Sequence, residues 1–305
     1  MVWDLIIIGG GPAGLTAGLY GARAGLKTLL LEKAMPGGQA VLTEKIENYP
    51  GYPQGISGPE LMMSFMDQAM RFGLEFKTEE VSGIDFTGKE KVINTNENNY
   101  LGKAVVIATG SRPRFLDVPG EREFHGRGVS YCATCDGAFF KEKKVVVVGG
   151  GDAAVEEALF LTRYANEVVL VHRRDQLRAT KVLQDRAKAN SKIHFILDTV
   201  VEKIDGKNFV DKVQLKNVKS GETRQESTNG VFVFVGTLPN TGFLQGAVEM
   251  NNQGYILTHD FLSTSVSGVF AAGDVREKFL RQVSTAVGDG AEAAMAAERY
   301  IAGLD

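Results

Sequence analysis

Cysteine is almost absent from this chain: it occurs twice, at Cys132 and Cys135, three positions apart in "SYCATCDGAF". A structural zinc site normally takes four ligands, so the pair cannot close one alone. The four histidines, His125, His172, His194 and His259, show no metal-ligand spacing, and no metal is expected. Long basic runs are missing too. The 34 lysines and arginines are mixed with 37 acids and the net charge is −3, which speaks against nucleic acid as a partner. No apolar run approaches the roughly 18 residues that cross a bilayer. "MVWDLIII" has neither a basic leader nor a small-residue cleavage site, so a cytoplasmic protein without a membrane segment is expected. In that compartment thiols are kept reduced, and a close cysteine pair points to catalysis or metal binding rather than a staple. The single tryptophan, Trp3, is expected just before the first strand, capping a sheet edge or an interface.

Glycine, in contrast, is abundant: 36 residues, above the usual share of roughly 7%. With 44% hydrophobic and 23% charged residues the chain has the balance of a globular protein, and 305 residues suggest two domains. Much of the glycine lies in two similar stretches, "DLIIIGGGPAGLTAGLYGARAGLKTLLLEK" from Asp4 and "KVVVVGGGDAAVEEALFLTRYANEVVLVHR" from Lys144. Each reads as a strand buried on both faces, a glycine turn, a helix and a second strand. Two βαβ units therefore lie in one chain.

The turns contain Gly9, Gly11, Pro12, Ala13 and Gly14 in the first copy and Gly149, Gly151, Asp152, Ala153 and Ala154 in the second. They match G-x-G-x-x-G/A, in which the first glycine makes the turn, the second admits a pyrophosphate to the backbone and the third small residue lets helix pack on strand. The helix start adds free N–H groups for the phosphates. The second strands end differently. Copy one ends at Glu32, whose carboxylate suits ribose hydroxyls, as in FAD or NAD sites. Copy two ends at His172, Arg173 and Arg174, with Arg178 a turn further on. Guanidinium forks would hold a 2′-phosphate, so this site reads as one for NADPH.

Further apolar runs, "AVVIATGSRP", "GVFVFVGTLPNT" and "GVFAAGD", each reach a glycine at the C-terminal edge where open α/β sheets bind ligands. Asp274, after Gly273, suits a polyol such as ribitol, and the stretch from Arg281 to Tyr300 reads as an amphipathic helix. Joined to "GGGPAG", "GGQ", "ENYPG", "ATG", "CATCDG", "HRRDQLRA", "PNT" and "RQV", these motifs run the length of the chain. In that order they resemble the low-molecular-weight bacterial thioredoxin reductases, the FAD/NADPH pyridine nucleotide-disulfide oxidoreductases of class II.

The resemblance implies an α/β fold of two Rossmann-like, three-layer ββα domains. The FAD domain would be discontinuous, residues 1–114 and 242–305, with an NADPH domain, residues 115–241, inserted. It adds Gly38, Gln39, Asn48 and Ala108 along the flavin half of FAD, and Asp274, Arg281, Gln282 and Val283 at the ribitol and ring. Cys132 and Cys135 become a redox disulfide, with Cys135 nearer the flavin, Cys132 attacking the partner and Asp136 as acid and base for the thiol protons. Electrons would run from NADPH through FAD to the disulfide and on to thioredoxin, the inserted domain swinging about crossings near residues 112–118 and 239–244. A homodimer is implied.

Two positions depart from the family at its partner surface: Ala138 where an aromatic is common, and Ser64 where a basic residue is expected. Arg127, Phe72 and Phe139 remain as contacts, and another dithiol partner, glutaredoxin-like or a peroxidase domain, stays open. Ferredoxin as donor is a further alternative, against which the arginines speak, as is a redox sensor without turnover. Met62, Met63, Met66 and Met70 fall at helical spacing and are expected in core or dimer packing.

Overall fold

The computed structural model describes every residue except Glu44, Glu47, Gln245 and Asp305, so the glutamate of "ENYPG" lies outside the described residues. Along the chain come β1 (Val2–Ile8), α1 (Pro12–Arg23), β2 (Thr28–Glu32), α2 (Gly58–Arg71), β3 (Glu75–Thr78), β4 (Val81–Asp85), β5 (Lys91–Thr95), β6 (Asn99–Ile107) and β7 (Ser111–Pro113). Then follow β8 (Val129–Ser130), α3 (Ala133–Asp136), β9 (Lys144–Gly149), α4 (Asp152–Leu161), β10 (Glu167–Val171), α5 (Lys181–Ala189) and β11 (Ile193–Ile196). The rest are β12 (Thr199–Gly206), β13 (Val210–Asn217), β14 (Thr223–Ser227), β15 (Gly230–Phe234), β16 (Thr237–Pro239), β17 (Val269–Ala271) and α6 (Val283–Ala302). The fold is α/β with parallel sheets. It divides into two compact units, Met1–Arg112 with Leu238–Asp305, and Pro113–Thr237.

In the first unit seven strands run β3-β2-β1-β6-β5-β4, with β17 also on β6. β1 is parallel to β2 and β6, and β5 antiparallel to β6. From Leu5 on, alternate side chains of β1 serve different cores, which is why residues 5–8 are continuously apolar. Leu5 and Ile7 pack with residues of α1, α2 and α6, while Ile6 and Ile8 pack with Phe86, Ile93 and Tyr100 from the antiparallel end of the sheet. α6 lies close on α1 because both present small residues there. A Cβ on Gly290 would come within 2.2 Å of Ala13 O.

Trp3 is not at a sheet edge. It lies inside β1, opposite Gly102 of β6, buried with Ile6 and Ile8, and Lys27 Nζ stands 4.7 Å over its ring. The methionines of α2 divide by face: Met62 is buried with Ala40, Ile46 and Ile56, Met66 is partly buried against the core between α1 and α6, and Met63 and Met70 face solvent.

The second unit has three layers. A parallel sheet, β11-β10-β9-β15-β8, carries α4 on one face, where Val145 and Val147 meet Val155 and Ala158. On the other face Val146, Val148 and Val169 meet Ile204, Val213 and Leu215 of the antiparallel sheet β12-β13-β14. The two crossings between the units run side by side as the ribbon β16-β7.

Candidate functional site

The first glycine turn is shaped by close contact and by one side-chain bond. Gly9 has φ +108°, and a Cβ on Gly14 would lie 1.8 Å from Gly9 O, so α1 can begin against β1 only with glycine there. Gly11 caps α1, Pro12 fills its first position and Ala13 is buried behind them. Gly10 N–H donates to Glu32 Oε2 at 2.7 Å, fixing that carboxylate beside the turn. Gly37 N–H donates to Gly10 O at 2.7 Å and lays Gly38 over Gly11, with Gln39 exposed after it. Ala108, buried at the end of β6, closes the floor: its N–H donates to Ile8 O at 2.8 Å.

Residues from the chain's C-terminal part return to the same turn. A Cβ on Gly273 would stand 2.9 Å from Ala13 Cβ, so Gly273 and Asp274 sit directly behind the start of α1. Asn48 Nδ2 donates to Gln282 Oε1 at 3.0 Å, joining residues 234 positions apart just before Val283 opens α6. Arg281 lies over the Tyr255 ring at 4.4 Å. Asp274 Oδ1 and Arg281 Nε are buried without a hydrogen-bond partner, and burial pushes the Asp274 carboxyl up despite Lys278 and Arg281.

Asp289, absent from the sequence reading, organises this return. Its Oδ2 accepts from Gly273 N–H (2.9 Å), Arg276 Nε (2.9 Å) and Lys278 Nζ (2.7 Å), and its Oδ1 from Arg276 Nη2 (3.3 Å). The signal available was one acid among alanines and glycines on the buried face of a helix.

The second turn repeats the first with different surroundings. Gly149, Gly151, Asp152, Ala153 and Ala154 lead from β9 into α4, with Gly151 as the cap. His172 packs against the middle of the turn, since a Cβ on Gly150 would be 2.3 Å from its Nδ1. It is buried, its Nε2 has no partner, and burial followed by Arg178, Arg174 and Arg173 holds its pKa below the usual range. The imidazole is therefore a neutral packing group under the turn, a role beyond that of cofactor neighbour. Arg178 N–H donates to Gly150 O at 2.6 Å, and Thr180 N–H to Asp152 Oδ1 at 2.6 Å, which ties the arginine loop to the turn. Arg173, Arg174 and Arg178 are exposed, while the neighbouring Asp175 is engaged by Lys219.

Cys132 and Cys135 form a disulfide, with Cα atoms 5.3 Å apart. Cys132 caps the short helix α3, its Sγ accepting from Cys135 N–H at 3.2 Å. Asp136 lies at the foot of this turn. Burial pushes its pKa up, against the bond from Ser130 and the charge of His125. Ser130 Oγ donates to Asp136 Oδ2 at 2.6 Å and accepts from Cys132 N–H at 3.1 Å, so one hydroxyl links the acid to the backbone of the cysteine. Ser130 escaped sequence reasoning because its position in β8 is what aims it. The arrangement can store two electrons as a dithiol and holds beside it a carboxyl whose pKa is raised. Among the described residues no group of three or more His, Cys, Asp and Glu could hold a metal ion, and no helix is long and apolar enough to cross a membrane.

The profile of the pyridine nucleotide-disulphide oxidoreductase family matches residues 3–290. A thioredoxin reductase of Peptoclostridium litorale is 48% identical over 306 residues, covering 98% of this chain and 97% of that protein. The chain belongs to the thioredoxin reductases. One from Bacillus subtilis (strain 168) is 48% identical over 302 residues, covering 98% and 95% of the two chains. The crystal structure of thioredoxin reductase from Streptococcus pyogenes MGAS5005 superposes with a TM-score of 0.94 at 49% identity, over 99% of each chain.

The positions expected to meet a partner are of mixed character. Phe139 is exposed, and Ala138 beside it is exposed but small. Arg127 is exposed near Phe124, its guanidinium 5.6 Å from that ring. In the other unit Phe72 is flanked by Arg23 and Arg71, at 5.2 and 5.4 Å, and Ser64 turns its hydroxyl back to Glu60 O at 2.9 Å.

Proposed function

We propose that this chain is an NADPH-dependent flavoprotein that reduces the disulfide of thioredoxin, working as a cytoplasmic homodimer. The observation that carries the reading is the closed Cys132–Cys135 disulfide with half-buried Asp136 at its foot, in the same unit as an arginine-flanked glycine turn.

The first unit would hold FAD. Gly11, Pro12, Ala13 and Glu32 suit its ADP half, and Gly38, Gln39, Asn48, Ala108, Gly273, Asp274, Arg281, Gln282 and Val283 its flavin half. The residues fit the group: Asp274 Oδ1 and Arg281 Nε are buried polar atoms lacking a protein partner, such as ribitol hydroxyls and ring carbonyls would satisfy. Bound there, FAD supplies a two-electron relay between pyridine nucleotide and disulfide. In the second unit Gly149 to Ala154 would cradle the pyrophosphate of NADPH, and Arg173, Arg174 and Arg178 its 2′-phosphate.

Once reduced, Cys132 attacks the partner's disulfide, forming one S–S bond as the partner's own breaks. Cys135 then attacks Cys132 in that mixed disulfide, which restores the internal disulfide and releases the partner as a dithiol. Asp136, whose pKa desolvation raises above the ordinary carboxyl value, moves the thiol protons. Asp136→Asn is expected to slow delivery of electrons to thioredoxin about a hundredfold, and a pH profile of the single-turnover rate, flat where the parent titrates, checks it. The ribbon β7–β16 is the hinge that lets nucleotide and disulfide take turns.

Anaerobic stopped-flow mixing of the yellow protein with NADPH, with NADH and then with oxidised thioredoxin tests the whole reading. Bleaching by NADPH and reoxidation by thioredoxin support it; bleaching by neither nucleotide sinks it. Changing Arg173, Arg174 and Arg178 together to alanine should raise KM for NADPH at least about 100-fold, the lower limit for two charge-assisted bonds, and leave NADH unaffected. Ser64 and Ala138 favour a second reading, the same chemistry with another dithiol protein. Reoxidation by a glutaredoxin-like partner but not by thioredoxin would select it.

A further inference from the structure

Glu121 belongs to none of the motifs above, yet it is 0% exposed. Its Oε1 accepts from Leu116 N–H (2.9 Å) and from the Tyr131 hydroxyl (3.0 Å), and its Oε2 from Asp117 N–H (2.8 Å). Asp117 is held at φ +57°, a region that side chains other than glycine's rarely allow. One carboxyl group thus joins the segment by which the chain enters the second unit to the residue directly before Cys132. The Tyr131 ring is fixed on two further sides, edge-on to Phe115 (5.6 Å) and to His125 (5.3 Å). From Tyr131 the order continues through both neighbours: Ser130 Oγ holds Cys132 N–H and Asp136.

We propose that Glu121 and Tyr131 are positioning residues for Cys132: their bond fixes the backbone before that cysteine, and so keeps its sulfur where Cys135 N–H faces it. A donor held on a thiolate favours the charged, reactive form. Burial, followed by the charge of Glu121, pushes the Tyr131 phenol far above its usual range, so it remains a donor at any working pH. The role rests on the reading of Cys132 as the attacking thiol, but the geometry does not need the nucleotide.

The test is therefore made on the chemically reduced protein. Alkylation of Cys132 by iodoacetamide, followed by mass spectrometry across the thiol's titration range, is compared in the parent, Tyr131→Phe, Glu121→Gln and, as a control in the other unit, Tyr100→Phe. The titration of Cys132 should move up by about half a unit in Tyr131→Phe, slowing alkylation at neutral pH about threefold, with a larger shift in Glu121→Gln. Should Glu121→Gln not fold, Tyr131→Phe, which removes one oxygen, decides alone. An unmoved titration, or an equal shift in Tyr100→Phe, overturns the proposal. Failure of NADPH to bleach the parent protein would instead overturn the functional reading, and the alkylation result would still stand.

Discussion

With Cys135 replaced by serine, NADPH should still bleach the flavin, while electron transfer to thioredoxin falls by more than about a thousandfold. Serine fits the space but cannot form the disulfide that accepts the electron pair. Cys132 then keeps its thiol, and a partner attacked by it stays attached, because the resolving sulfur is gone. Cys132→Ser should lose the same turnover and trap nothing. Single-turnover absorbance, with non-reducing gels for the trapped adduct, separates the two. Turnover of thioredoxin by Cys135→Ser would rule the disulfide out as the relay. An adduct formed by Cys132→Ser instead would exchange the roles of the two sulfurs.

Asp289→Asn is the second change with a large expected effect. Lys278 and Arg276 have side chains only 7% and 19% exposed, and both depend on this carboxylate. Removing one partner of a buried ion pair leaves charge without compensation and costs about 3–5 kcal/mol. The Gly273–Val275 turn, anchored by the same oxygen, should loosen and release flavin on dilution. Although burial works against ionisation, bonds from Arg276 and Lys278 win and hold the Asp289 pKa below its ordinary value. A depressed carboxyl adds stability above its unfolded pKa, about 3.9, and loses it as pH falls through the folded value. Urea unfolding of the parent should show that acid loss, and the variant should lack it. A loss under about 1 kcal/mol with flavin retained would mean that the cluster is surface decoration.

Much of this was legible because it is local. A strand buried on both faces, the glycine turn after it and the carboxylate or arginines at the next strand's end lie within about 30 residues, and two copies made them unmistakable. What escaped depends on pairing across the fold. Trp3 was misjudged because only β6 reveals that β1 starts at Val2, where Gly102 leaves the indole its place. Asp4, on the next position, points outward to Lys103 at 2.8 Å and breaks the apolar run that would have announced the strand earlier. Ser130, Glu121 and Asp289 find partners within 16 positions, but through turns whose course neither helix nor strand periodicity spells out.

The bond from Gly10 N–H to Glu32 has a thermodynamic consequence for whatever nucleotide the first turn receives. A glutamate free in solvent samples many rotamers, and a ligand that needs one of them must freeze the rest at a cost of about 0.5–1.5 kcal/mol. Here the backbone makes that choice during folding. Replacing Glu32 by glutamine would keep the acceptor, whereas aspartate, one methylene shorter, would have to choose between the protein's amide and the ligand's hydroxyls. Calorimetry should register the difference as entropy.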